Sequence, residues 1–281
     1  MSSPSDVPGK AARADGWAVD GPGGGCYGQP PDNSVGVLSL QPSAEVRWFF
    51  SGPCPGRVVR WFASLPGPMV EEPERIDSYL VTESATTGIK IRDRTRDGRL
   101  MELKVKQRDV GPVAFGAATG RFEYWVKWSF DVAANDAPAT SLALPPGWWL
   151  DVRKTRRIRV YGPVDGALSP STKQPEEGCN SELVHLRVRG ADWWGLGYES
   201  FPSDETLVRL SSPGGDERAL DLRAIQARLD RYARSTAQQE LAAKRLPRGF
   251  GVEDSRSYPA WLRSLLRAQG GRSRDAPARR G

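Results

Sequence analysis

Cations and carboxylates alternate with apolar residues along several stretches of this chain. Lys90, Arg92 and Arg94 alternate with Ile89 and Ile91, and Glu102, Lys104, Lys106 and Arg108 alternate with Leu103, Val105 and Gln107. Arg121, Glu123, Trp125 and Lys127 alternate with Phe122, Tyr124, Val126, Trp128 and Phe130. A period of two is that of a β-strand, whose successive side chains point to opposite faces. When such strands pair, their polar rows merge into one polar surface. Lysines and arginines there can hold the oxygens of a polyanion, and the interspersed carboxylates suit a hard divalent cation such as Mg or Mn. Glu123 and Glu199 are the first candidates for metal contact, followed by Glu102, Glu182 and Glu45. Each can instead pair with a neighbouring cation.

A sheet with one apolar and one charged face has two solutions. Its apolar face packs on helices or another sheet and its charges meet solvent, or the sheet closes with its charges inward and its apolar outside covered. An unpaired ion taken from water costs several kcal/mol, so a closed charged interior must be wet, two-signed or occupied by a ligand. The rows here are two-signed: Glu45 with Arg47, Glu102 with Lys104 and Lys106, Glu123 with Lys127.

The elements that position these rows are short strands broken by turn residues. Glu45–Phe50, Ile76–Val81, Gly88–Arg94, Leu100–Arg108, Arg121–Phe130, Trp149–Tyr161, Glu182–Arg189, Trp194–Phe201 and Thr206–Leu210 read as strands, with Asp97-Gly98 a tight-turn signal. Arg57–Leu65 departs from this pattern and is compatible with a helix. Such density of hairpin-linked strands predicts an α+β, mainly β fold with a curled or closed antiparallel sheet. After Gly214-Gly215 the period becomes helical, with Asp216 as a candidate cap and Leu222, Ile225, Leu229 and Tyr232 as one stripe running towards Arg245. A second helix opens at Tyr258-Pro259, with Trp261, Leu262, Leu265 and Leu266 on its apolar side. Residues 1–43, rich in Gly and Pro, and 270–281 read as disordered tails around a barrel domain over 44–212 and a helical extension over 213–269.

Composition narrows the chemistry. The chain has 281 residues, 38% hydrophobic, with a formal charge of +6, which favours acidic partners without selecting nucleic acid. A single histidine, His185, removes most histidine-based metal and acid–base schemes, and its apolar neighbours suit a structural role. Cys26, Cys54 and Cys179 lack metal-ligand spacing and read as reduced thiols. No run is apolar enough to span a bilayer and no signal-like start is seen, so a cytoplasmic location is expected. No phosphate-cradling Gly-rich loop, dinucleotide fingerprint or nucleophile elbow occurs in a suitable context.

The order Glu45-x-Arg47, Ile89-Lys-Ile-Arg92, Glu102-Leu-Lys-Val-Lys106, Arg121-x-Glu123, the basic run Arg153–Arg159, Glu182-Leu and Gly197-Tyr-Glu199 resembles the CYTH or triphosphate-tunnel superfamily over roughly residues 44–210. The resemblance implies an eight-stranded antiparallel tunnel that binds triphosphate-containing ligands, with divalent metal in its catalytic members. It implies phosphate contacts from Arg92 and Lys104, with Lys90 and Lys106 on the same faces. In Arg153–Arg159 either row could point inward. Arg157 and Arg159 are the preferred pair, against Lys154 and Arg156, and a solvated basic edge strand is the alternative. The first strand departs from the family's Glu-x-Glu-x-Lys pattern: Arg47 replaces the second carboxylate and Phe49 the lysine. That exchange removes a metal ligand but leaves Arg47 able to hold phosphate. The expected partner is therefore polyphosphate or a nucleoside triphosphate, with metal-dependent phosphoanhydride hydrolysis weakened. A nucleic-acid-binding or protein-interaction module using the basic rows and the Arg-rich helix is the alternative.

Overall fold

A computed structural model describes residues 37–94, 98–132, 148–165, 167–203, 206, 222–242, 246 and 249–272, all within the unit Val35–Gly281. The elements run β1 (Val37–Ser51), α1 (Gly56–Ser64), β2 (Val70–Leu80), β3 (Thr87–Arg94), β4 (Gly98–Phe115), β5 (Ala118–Val132), β6 (Trp149–Val164), β7 (Ala167–Pro170), β8 (Gly178–Val188), β9 (Ala191–Phe201), α2 (Leu222–Leu241), a 3-10 turn at Val252–Asp254 and α3 (Tyr258–Arg272). Of the expected features, the tails over 1–36 and 273–281, Asp97, the Asp216 cap and most of the Thr206–Leu210 strand lie outside the described residues.

The strands hydrogen-bond in the order β2-β3-β4-β5-β1-β9-β8-β6, and β2 pairs with β6 to close the ring. Eight antiparallel strands thus form a barrel, with β7 attached outside on β6. Closure answers the choice left open by the alternation: the charged rows face the lumen and the apolar rows face out. β1 begins at Val37, inside the stretch read as a tail, because residues from Val37 to Val46 pair along β5.

The outward apolar row is covered in turn. Ala44, Val46, Trp48 and Phe50 of β1, Phe122 and Tyr124 of β5 and Trp194, Leu196 and Tyr198 of β9 form one core with Val58 and Phe62 of α1 and Ile225, Leu229, Tyr232, Ala233, Ala237 and Leu241 of α2. The helical stripe read from the sequence is therefore the buried face of α2. A carboxyl group is buried with it: Glu240 accepts hydrogen bonds from Tyr161 Oη at 2.6 Å, Ser181 Oγ at 2.7 Å and Tyr198 Oη at 2.9 Å.

A second core fills part of the lumen itself. Phe49, Tyr79, Leu150, Val152, Val184, Leu186 and Val188 extend the inward rows of β1, β2, β6 and β8, and Trp261 and Leu262 of α3 complete the cluster. Trp261 stacks on Phe49 with ring centroids 4.6 Å apart. The chain reaches this position because Ser255 bridges to Trp48 and its Oγ donates to the Arg47 carbonyl at 2.9 Å. α3 is thus threaded against one end of the barrel interior, and its apolar stripe meets lumen residues.

Candidate functional site

The remaining lumen is lined by charge. On the β6–β8 side, Lys154 lies 2.7 Å from Asp77 and donates to the Tyr79 hydroxyl at 2.6 Å. Arg156 grips both oxygens of Glu72, at 2.6 and 2.8 Å, and reaches Glu182 at 2.8 Å. Arg47 meets the other Glu182 oxygen at 2.6 Å and Glu199 at 3.4 Å. Towards β3–β5, Lys104 bridges Glu45 and Glu199, Lys90 pairs with Glu102, and Lys106 pairs with Glu123. Arg92 and Lys127 approach Glu102 at 3.7 Å each.

Exposure varies along the lumen. Asp77, Lys154 and Arg47 are 0, 4 and 7% exposed, whereas the side chains of Arg156, Lys104, Lys127 and Arg92 keep 23, 25, 25 and 30%. Solvent therefore reaches lumen cations on β6 and on β3–β5, and the charges beside α3 are the more deeply buried.

The charges follow these surroundings. Burial pushes the Glu182 carboxyl up, but Arg47 and Arg156 outweigh it and hold the group at about 2. Burial also opposes ionisation of Glu199, which Lys104, Arg47 and Lys127 nevertheless keep well below the usual carboxylate range. Glu45, its neighbour across the β1–β9 ladder, is pushed up by burial and by Glu199. Burial lowers both Lys127 and Lys154 to about 8, with Glu199 acting against it for the first and Asp77 for the second. The arginines stay charged, so part of the lumen's positive charge is titratable and part is fixed.

The donors do not assemble into a metal centre. Glu123, Glu45 and Glu199 are register neighbours on β5, β1 and β9, and Asp109 of β4 lies opposite Glu123. The three glutamates are occupied: Glu123 by Lys106 and the Trp125 indole, Glu45 by Lys104 and Ser43, Glu199 by Lys104 and Arg47. Among the described residues no group of three or more His, Cys, Asp or Glu is placed to hold a metal ion. Arg47 and Lys104 stand where Mg or Mn would need open oxygens.

Of the residues singled out from sequence, Arg47, Lys90, Arg92, Lys104, Lys106, Glu45, Glu102, Glu123, Glu182 and Glu199 line the lumen together. Arg157 and Arg159 do not. Arg157 pairs with Glu71 on the outer surface, at 3.1 Å, and Arg159 turns its guanidinium to the carbonyls of Phe62, Ala63, Pro66 and Gly67 at the end of α1. The inward row of β6 is that of Lys154 and Arg156. Arg108 also leaves the lumen: a bulge between Lys106 and Arg108 changes the strand's phase, exposing Arg108 and bringing Asp109 within 3.7 Å of Lys106. His185 lies outside, half-exposed, 3.4 Å from Asp192. Lys154 and Arg156 belong to the row that the sequence left as the alternative, whereas Glu72 and Asp77 were not singled out as lumen groups. The Glu71-Glu72 and Glu74-Arg75 pairs near the start of β2, opposite the basic run, were the available signal.

The eight antiparallel strands close a barrel with a two-signed charged lumen, which is the geometry that the resemblance in the sequence implied. No family model matches the chain, and no curated protein matches it. Among solved structures, it is similar to the S. pombe Pct1 RNA triphosphatase in complex with the Spt5 CTD, at 12% identity over 71% of this chain and 88% of that one, with a TM-score of 0.34. The same enzyme without that partner gives 11% identity over 71% and 87%, with a TM-score of 0.33. Overlap this loose leaves ligand and chemistry to be read from the lumen of this chain.

Proposed function

We propose that the lumen binds a phosphate-rich anion, inorganic polyphosphate or a nucleoside triphosphate, and does so in the cytoplasm. One observation supports this most: inside the closed barrel, Arg47, Arg75, Lys90, Arg92, Lys104, Lys106, Lys127, Lys154 and Arg156 outnumber Glu45, Glu72, Asp77, Glu102, Glu123, Glu182 and Glu199. An excess of cations confined by low-dielectric walls favours an anion. Lysines such as Lys104 can exchange a carboxylate for a phosphate oxygen without leaving the site, and arginines can grip phosphate through two donors. The outer surface of β6 lacks this character, since Arg153 and Arg157 are paired with Glu74 and Glu71. That pairing disfavours a nucleic-acid track there. No helix among the described residues is long and apolar enough to cross a membrane.

Binding is the reading the donor set supports. Hydrolysis through Mg or Mn would need carboxylate oxygens that pair with Lys104, Lys106 and Arg47 in the ligand-free lumen. The test is thermal stabilisation of the full chain by tripolyphosphate, ATP and short oligonucleotides, each with and without magnesium or manganese, alongside phosphate release. A metal-independent rise in melting temperature with tripolyphosphate or ATP is expected. No shift with either, or a shift confined to oligonucleotides, overturns the reading.

A further inference from the structure

The charged rows account for groups on the strands, but one polar group in the lumen comes from elsewhere. Tyr258, at the start of α3, inserts its ring between two lumen cations, 4.5 Å from Lys154 Nζ and 5.0 Å from Arg47 Cζ. The ring stacks on Tyr79 with centroids 5.7 Å apart and meets Phe49 edge-on at 5.0 Å. Its hydroxyl is buried and has no hydrogen-bond partner among the described residues. A buried phenol usually finds a partner, and leaving one unpaired is unfavourable. The groups it senses most are Glu182, Arg47, Asp77 and Arg156, all of them lumen residues. An unspent donor therefore sits among the cations that would hold an anion.

We propose that Tyr258 is a ligand-binding residue, whose hydroxyl donates a hydrogen bond to the innermost phosphate oxygen of an anion held by Arg47, Lys154 and Arg156. This rests on the phosphate-binding reading and adds to it a determinant outside the barrel strands. A neutral donor strengthens anion binding without adding a charge that must be neutralised when the site is empty. Burial, reinforced by Glu182, raises the Tyr258 hydroxyl well above its usual range, which keeps its proton available for donation at neutral pH. α3 then has two roles: Trp261 anchors it on Phe49, and Tyr258 completes the site.

The test is calorimetric titration of the full-length protein with tripolyphosphate and, separately, ATP, comparing wild type with Tyr258→Phe. The substitution keeps the ring stacked on Tyr79 and removes only the hydroxyl. A hydrogen bond to a charged oxygen corresponds to a loss of about tenfold in affinity. A loss of threefold or more for whichever anion binds wild type, with the melting temperature of the free protein not lowered, supports the role. A smaller loss overturns it while leaving the phosphate-binding reading intact; no binding to wild type overturns that reading itself. If Tyr258→Phe fails to fold, 3-fluorotyrosine at position 258 supplies the same answer. Its fluorine resonance should move on saturation with tripolyphosphate, and an unmoved resonance overturns the proposal.

Discussion

Arg47 reaches Glu182 across Gly197. The two charged residues lie on β1 and β8, with β9 between them, and each is directly opposite Gly197 in its own ladder. Their side chains meet at 2.6 Å because Gly197 presents no side chain to the lumen. A Cβ at that position would lie 2.9 Å from the guanidinium carbon of Arg47. Gly195 repeats the device one step along, between Phe49 and Val184. The Gly195-x-Gly197 spacing thus leaves room for the Arg47 bridge and for the stacked rings below it.

Gly197→Ala should therefore destabilise the protein by about 1–3 kcal/mol, the usual range for overpacking. Denaturant unfolding at neutral pH measures it. A change below about 0.5 kcal/mol would show that Arg47 has other room and that the glycine is incidental.

Arg159 and Arg157, two residues apart on the outward row of β6, should behave oppositely. Arg159→Ala leaves the last carbonyls of α1 without their donor and should cost about 1.5–3 kcal/mol. Arg157→Ala removes an exposed pair with Glu71 and should change stability by no more than about 0.5 kcal/mol. Neither should alter anion affinity, which titration of the two variants would check.

Glu240 clamps α2 to the barrel through three hydroxyl donors. Glu240→Ala should lower stability by about 3 kcal/mol or more, since it opens a cavity and strands Tyr161, Ser181 and Tyr198 together. Glu240→Gln keeps an acceptor and should cost less. Equal losses in both variants, measured by chemical denaturation, would mean that the charge rather than the acceptor matters.

The buried lysines give a pH dependence of defined sign. Lys154 titrates at about 8 in the folded chain, against 10.5 when unperturbed, as burial disfavours its charge. Between those values the unfolded chain binds more protons, so this group's contribution makes stability rise from pH 8 to 10.5. Anion affinity runs the other way: as Lys154 and Lys127 lose their protons, tripolyphosphate should bind more weakly from pH 7.5 to 9.5. Lys127→Arg should flatten that fall, because arginine stays charged. A flat wild-type profile in calorimetry would contradict the assignment.

Alternation made the barrel and most of its lumen legible. Along β4 and β5 one row is charged and the other apolar, so either row alone fixes which side faces the helices. The same rule failed on β6, where both rows carry cations and both carry apolar residues. Its inward row is charged at Lys154 and Arg156 but apolar at Leu150 and Val152, because α3 fills that end of the lumen. A strand whose inner face changes character along its length cannot be phased by polarity. Arg108 was misplaced for a different reason: a bulge shifts the phase by one residue, and nothing in Gln107-Arg108-Asp109 announces it before Gly111. Tyr258 was legible only as part of a helix start, since its place in the lumen depends on a partner far away in sequence.

The central claim is that the inward row, not the outward one, holds a phosphate-rich anion. Calorimetric titration of tripolyphosphate into wild type, the inner double variant Arg92→Ala/Lys127→Ala and the outer double variant Arg153→Ala/Arg157→Ala tests it most directly. Arg92 and Lys127 are solvent-reached cations of the lumen, and Glu102 keeps Lys90 in their absence. The expected result is a loss of about tenfold or more for the inner variant, with the outer variant within twofold of wild type. Wild-type affinity in the inner variant, or a loss confined to the outer one, would contradict the account.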